Sequence, residues 1–152
     1  MKEKIILLSL LISVLALTSC ASVKKAVRDN RTPIETAVDY SKVASYFACA
    51  QILDMSKSSG DKRAKALIIY DISIALSALS ATEPTSEDIE AAILQHTPDK
   101  PHWELLAGEL SRIYLNLYES VQSDEDYALL ASVVNEIAEG CLAAARPIIE
   151  VE

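Results

Sequence analysis

Across residues 103–148, apolar side chains return every third or fourth position, the period that lays one stripe of a helix against a core. One face holds Trp103, Leu106, Ala107, Leu110, Ile113, Tyr114, Leu117 and Val121, with Glu104, Glu109, Arg112, Asn116 and Glu119 opposite. A second holds Tyr127, Leu130, Val133, Val134, Ile137, Cys141, Ala145 and Ile148, against Ser132, Asn135, Glu136 and Glu139. A half-buried strand would alternate at period two, and neither that pattern nor an Asn-Gly hairpin signal occurs. The fold class read from this patterning is all-α.

Helix-breaking residues are few, with three glycines and five prolines in 152 residues, so each marks a boundary. Thr32-Pro33-Ile34-Glu35 offers a capping hydroxyl, a proline at the first helical position and a glutamate at the third. A first helix is expected from there to about Lys57, stopped by Ser58-Ser59-Gly60. A second is expected from Asp61 to about Ala81. Pro84-Thr85-Ser86-Glu87-Asp88 opens a short third that ends before Thr97-Pro98, and Asp99-Lys100-Pro101 starts a fourth running through Val121. Ser123-Asp124-Glu125-Asp126 caps a fifth that reaches Arg146, where Pro147 bends or ends it. The second helix is apolar nearly all round over residues 67–79, broken mainly by Ser73, Ser77 and Ser80, which predicts a central position. No tetratricopeptide pattern is present. Residues 32–152 are thus expected to form one compact helical bundle of four long helices and one short one.

The first 20 residues have a different layout. Met1-Lys2-Glu3-Lys4 is charged, residues 5–17 are almost wholly apolar, and Leu17-Thr18-Ser19-Cys20 closes the run on small residues and a cysteine. The apolar stretch is well short of the roughly 20 residues a membrane span needs. It resembles a bacterial lipoprotein signal peptide, whose lipobox ends in the cysteine that becomes the first mature residue. The resemblance covers residues 1–20. It implies cleavage between Ser19 and Cys20, lipidation of the Cys20 sulfur by diacylglycerol, and usually a further acyl chain, such as palmitate, on the new amine. Several chains give stable anchoring, at about 0.8 kcal/mol per buried methylene. Ala21 and Ser22 follow the cysteine, where an aspartate would imply inner-membrane retention. The expected location is therefore the cell envelope, on the outer membrane facing the periplasm if the host has two membranes. Residues 20–31, with Lys24, Lys25, Arg28 and Arg31 against Asp29, read as a short basic tether. It is either simply solvated or drawn towards anionic headgroups.

Charge is unevenly placed. Residues 32–81 carry five basic and five acidic side chains, whereas residues 82–152 are net -12. That balance argues against nucleic acid, which needs clustered Lys and Arg. It suits a solubilising surface or a partner with a basic surface.

With Cys20 taken by lipid, Cys49 and Cys141 form an even pair on the first and last helices. Two readings stay open: a disulfide of an exported chain, worth roughly 4 kcal/mol by loop closure, or two buried thiols acting as small hydrophobes. Asp71 falls among Leu67, Ile68, Ile74, Ala75 and Ala78 at helical spacing. It is expected to be a buried polar contact, paired with a tyrosine, a basic side chain or a cap; a catalytic acid is the lesser reading. His96 and His102 flank Thr97-Pro98-Asp99-Lys100-Pro101, a spacing that fits no common zinc set. No GxSxG, HExxH, phosphate-binding loop or paired-carboxylate pattern appears, so neither catalysis nor a cofactor or metal is expected. The six tyrosines, Trp103 and Phe47 are expected mostly on core faces with hydroxyls directed outward.

The expected function is that of a lipid-anchored, non-enzymatic envelope module that binds or helps assemble another envelope protein. Pilotin lipoproteins, which carry secretin subunits to the outer membrane, and exclusion-type lipoproteins are similar in size, anchor and class. That is analogy only, because none of their motifs maps onto residues here. The alternative is a small-ligand or metal-binding envelope lipoprotein, with Asp71 or the two histidines lining a pocket.

Overall fold

A computed structural model describes residues 33–98, 101–119, 121 and 123–150. The lipobox Leu17-Thr18-Ser19-Cys20, the tether over residues 20–31 and the Thr32 cap lie outside the described residues. Five helices follow one another: α1 (Pro33–Asp54), α2 (Ser59–Leu79), α3 (Ser86–Leu94), α4 (Pro101–Tyr118) and α5 (Asp124–Ile149). Among the described residues there is no strand. The all-α bundle with four long helices and one short one is the observed architecture.

Side-chain caps set three of the helix starts. Thr85 and Asp88 form a reciprocal capping box: the Asp88 N–H donates to Thr85 Oγ1 at 3.2 Å, and the Thr85 N–H to Asp88 Oδ2 at 2.8 Å. The Asp126 N–H donates to Ser123 Oγ at 3.2 Å and opens α5. Ser58 corrects the sequence reading. Instead of terminating α1 it caps α2, accepting the Asp61 N–H at 3.1 Å, while the Lys57 N–H donates to Asp61 Oδ2 at 2.9 Å. A serine hydroxyl facing free amides is a start signal, so α1 ends at Asp54 and Gly60 lies in the first turn of α2. Pro147 lies inside α5 close to its end, where it costs a single intrahelical bond, and the Glu150 N–H still closes on the Arg146 carbonyl at 3.0 Å.

α5 is the central helix, packed along α1 and α2 in the two most extensive interfaces of the fold. This corrects the expectation for α2, which buries Ala66, Ile69, Ile72, Ser73 and Leu76 and leaves Leu67, Tyr70 and Ile74 exposed. The face expected for α5 is the buried one, with Leu130, Val133, Val134, Cys141 and Ala145 at its middle. α3 packs chiefly on α4, α2 joins that hairpin through α3, and α4 meets α5 only slightly.

Gly140 shows why α1 and α5 lie so close. A Cβ there would run into Ser45 Oγ, the Lys42 carbonyl and the Tyr46 amide, so the two backbones are in near contact. The α1 side supplies small residues, and the buried Ser45 hydroxyl is satisfied within its own helix, donating to the Ser41 carbonyl at 2.8 Å. Lys42 and Glu139 pair beside the crossing at 3.6 Å, with each side chain 48% exposed. Such a pair adds at most about 1 kcal/mol, so packing holds the seam.

The α3–α4 hairpin is fastened differently. Tyr114, buried on α4, donates its hydroxyl to the Pro84 carbonyl at 2.6 Å, and Ser111 Oγ donates to the Ser86 carbonyl at 2.9 Å. Burial pushes the Tyr114 phenol up to about 12, with Tyr118, Asp88, Glu83 and Tyr127 adding to the shift. The folded state therefore holds this proton more tightly than the unfolded chain. Its contribution is complete below pH 10 and lost as pH rises through about 12.

Gly140→Ala lowers the unfolding free energy in urea by about 1–3 kcal/mol through overpacking. Gly108→Ala, at a helical position where nothing lies within 4 Å, raises it by up to about 1 kcal/mol. In an alkaline titration of wild-type stability the fall between pH 10 and about 12 is present, and Tyr114→Phe makes that step smaller.

Candidate functional site

The feature left over after the core is accounted for is apolar surface. On α1, Val43, Tyr46 and Phe47 are 48%, 41% and 53% exposed, and the two rings meet edge to face at 5.6 Å. On α2, Leu67, Tyr70 and Ile74 are exposed at spacings of three and four, one continuous stripe along the helix. Large apolar side chains grouped in this way on a small domain mark an interaction face, whereas scattered ones need no explanation. α4 adds Leu105, Leu115 and Tyr118, the last stacked edge to face on Tyr127 at 5.9 Å.

Asp71 lies within the α2 stripe, one turn from Leu67 and next to Tyr70. It is exposed, which corrects the expectation of a buried polar contact. The sequence placed it on the right face, with Leu67 and Ile74. That face is turned to solvent because α5 and α3 cover only the other side of α2. A solvated carboxylate there has no desolvation cost to offset, and it puts a negative charge in the middle of an apolar strip.

Cys49 and Cys141 do meet. Their sulfurs lie 3.1 Å apart across the α1–α5 seam, both buried and both present as thiols. The hydrogen bond to Cys141, reinforced by burial, pushes the Cys49 thiol up. Raised and enclosed, Cys49 is a poor nucleophile as it stands.

His96 is half-buried after α3 with its Nε2 3.1 Å from Gln95 Nε2, and the His102 side chain lies outside the described residues. Among the described residues no three His, Cys, Asp or Glu side chains are grouped to hold a metal ion. Trp103 and Tyr114 are buried as expected, but the Tyr114 hydroxyl is turned inward to the Pro84 carbonyl and not outward, and Tyr46, Phe47, Tyr70 and Tyr118 are exposed. The signal that could have exposed the α2 stripe was already in the sequence: a helix apolar on more sides than its neighbours can cover.

α5 is long and apolar enough to cross a membrane by length and composition, with 44% of that window buried inside the fold. Its buried face is covered by α1 and α2, the arrangement of a core helix. Compared with known proteins, the chain matches no family model, no curated protein and no solved structure.

The position of Asp71 is directly measurable. Asp71→Ala changes the unfolding free energy by no more than about 0.5 kcal/mol, as expected of a surface site. A loss of several kcal/mol in urea would instead return it to the core.

Proposed function

We propose that the protein is a lipid-anchored, non-enzymatic module of the cell envelope that binds or helps assemble another envelope protein. The observation that carries this reading is the α2 stripe of Leu67, Tyr70 and Ile74, exposed on a domain with a well-filled core elsewhere. A stripe of that spacing suits an amphipathic helix laid alongside it, the mode in which apolar anchors at helical intervals give affinity. Asp71 in the same stripe favours a partner with a basic residue at the matching position, and would act mainly on specificity and association rate.

The anchor belongs to the same reading. Cys20 in Leu17-Thr18-Ser19-Cys20 would carry the lipid, and the basic residues 24–31 would keep the domain close to the bilayer. The net charge of -12 over residues 82–152 would keep that half off an anionic membrane surface and leave it facing the aqueous side.

Affinity capture of the full-length protein from its native envelope tests both halves of the proposal. The expected result is a stoichiometric envelope protein that is lost with Leu67→Glu or Ile74→Glu and weakened by Asp71→Lys, while circular dichroism stays helical. Cys20→Ala should move the protein out of the membrane fraction and abolish the acyl mass on the N-terminal peptide. Capture indifferent to all three stripe variants would sink the adaptor reading. An unacylated Cys20 in membrane-fraction protein would sink the anchor.

A further inference from the structure

We propose that Cys49 and Cys141 are the two ends of a structural disulfide that covalently ties α1 to α5. The sulfurs already face each other at 3.1 Å across the seam, joining positions 92 residues apart in the chain. A disulfide needs a sulfur separation of about 2.05 Å and Cα atoms within about 7 Å, so what matters is whether the backbones can come close enough. Gly140, next to Cys141, answers that: it brings α5 against the backbone of α1 at Lys42 and Tyr46, one to two turns before Cys49.

Other uses of the pair fit less well. A metal site would need further ligands, and among the described residues none are grouped with these sulfurs. A nucleophile would need a lowered thiol pKa and access, and Cys49 has neither, being buried and pushed up by its neighbour. Two thiols joined by a hydrogen bond inside an apolar core are a dithiol awaiting oxidation.

The reaction is thiol–disulfide exchange. Cys49–SH and Cys141–SH react with a disulfide oxidant R–S–S–R to give Cys49–S–S–Cys141 and two R–SH. The two electrons and two protons of the dithiol pass to the oxidant, a disulfide-carrying protein in the export compartment or oxidised glutathione in a tube. Because both sulfurs are buried, the oxidant must reach them before α1 and α5 close. The bond therefore forms during folding, and afterwards the seam shields it from reductant.

The test uses the full chain bearing Cys20→Ala, so that only two thiols count. The chain is refolded in a glutathione buffer, then unfolded and treated with a maleimide that adds a resolvable mass to each free thiol. The expected result is no addition before reduction and two after it, with a cross-linked peptide pair containing residues 49 and 141. Dithiothreitol should free the thiols slowly in buffer and at least tenfold faster in urea. Reduction should lower the urea midpoint of this chain and leave that of the Cys49→Ser and Cys141→Ser variants unmoved, each of which keeps its helical spectrum. Two free thiols after oxidative refolding, or glutathione attached to either cysteine, would overturn the proposal. Because glutathione supplies the oxidant, this outcome is independent of whether the protein is exported.

Discussion

The fold depends on how near α5 can come to α1. At Gly140 the last helix has no side chain, and the backbone of the first, from Lys42 to Tyr46, occupies the space a Cβ would need. Close approach multiplies weak contacts: each is worth a fraction of a kcal/mol, and together they outweigh the exposed Lys42–Glu139 ion pair. The same approach sets the register that brings Cys49 opposite Cys141. With α1 on one flank, α5 still has apolar surface for α2, so it becomes the core element, and its sequence is the more apolar of the two.

Much of this was legible in the residues, and the failures share one cause. The helix starts at Thr85 and Ser123 were readable because a cap is a local bargain between one hydroxyl and one or two amides. The inward faces of α4 and α5 were readable because period alone defines them. Ser58 was misread because a serine beside a glycine suits a stop as well as a start, and only the direction of its hydroxyl decides. Asp71 and the centrality of α2 were misread together. Helical period tells which side chains share a face and says nothing about whether another helix arrives to cover it. Gly140 was passed over, although a glycine beside a cysteine on an apolar face, matched by Ser41, Ser45 and Ala48 on α1, has the composition of a close crossing.

α1, α2 and α5 share the most extensive packing, and the exposed apolar side chains lie on α1, α2 and α4, while α3 and α4 are fastened to each other by point contacts such as Tyr114 to Pro84. Acidic side chains at the starts of α3 and α5 serve their helix ends first. For Glu87 and Asp88, hydrogen bonds to backbone amides hold the carboxyls below their ordinary range, Glu87 through its own N–H and Asp88 through Thr85. Their charge is thus partly a folding device before it is a surface property.

The pairing of the first helix with the last has a temporal consequence. As the chain is delivered from its N-terminus, α1 and α2 appear early with their apolar faces uncovered, and the helix that covers both is the last to arrive. Until then only the smaller contacts among α1 to α4 are available, and loop-closure entropy opposes any early substitute for α5. Completion of the core therefore waits on the final helix, whose arrival covers α1 and α2 together.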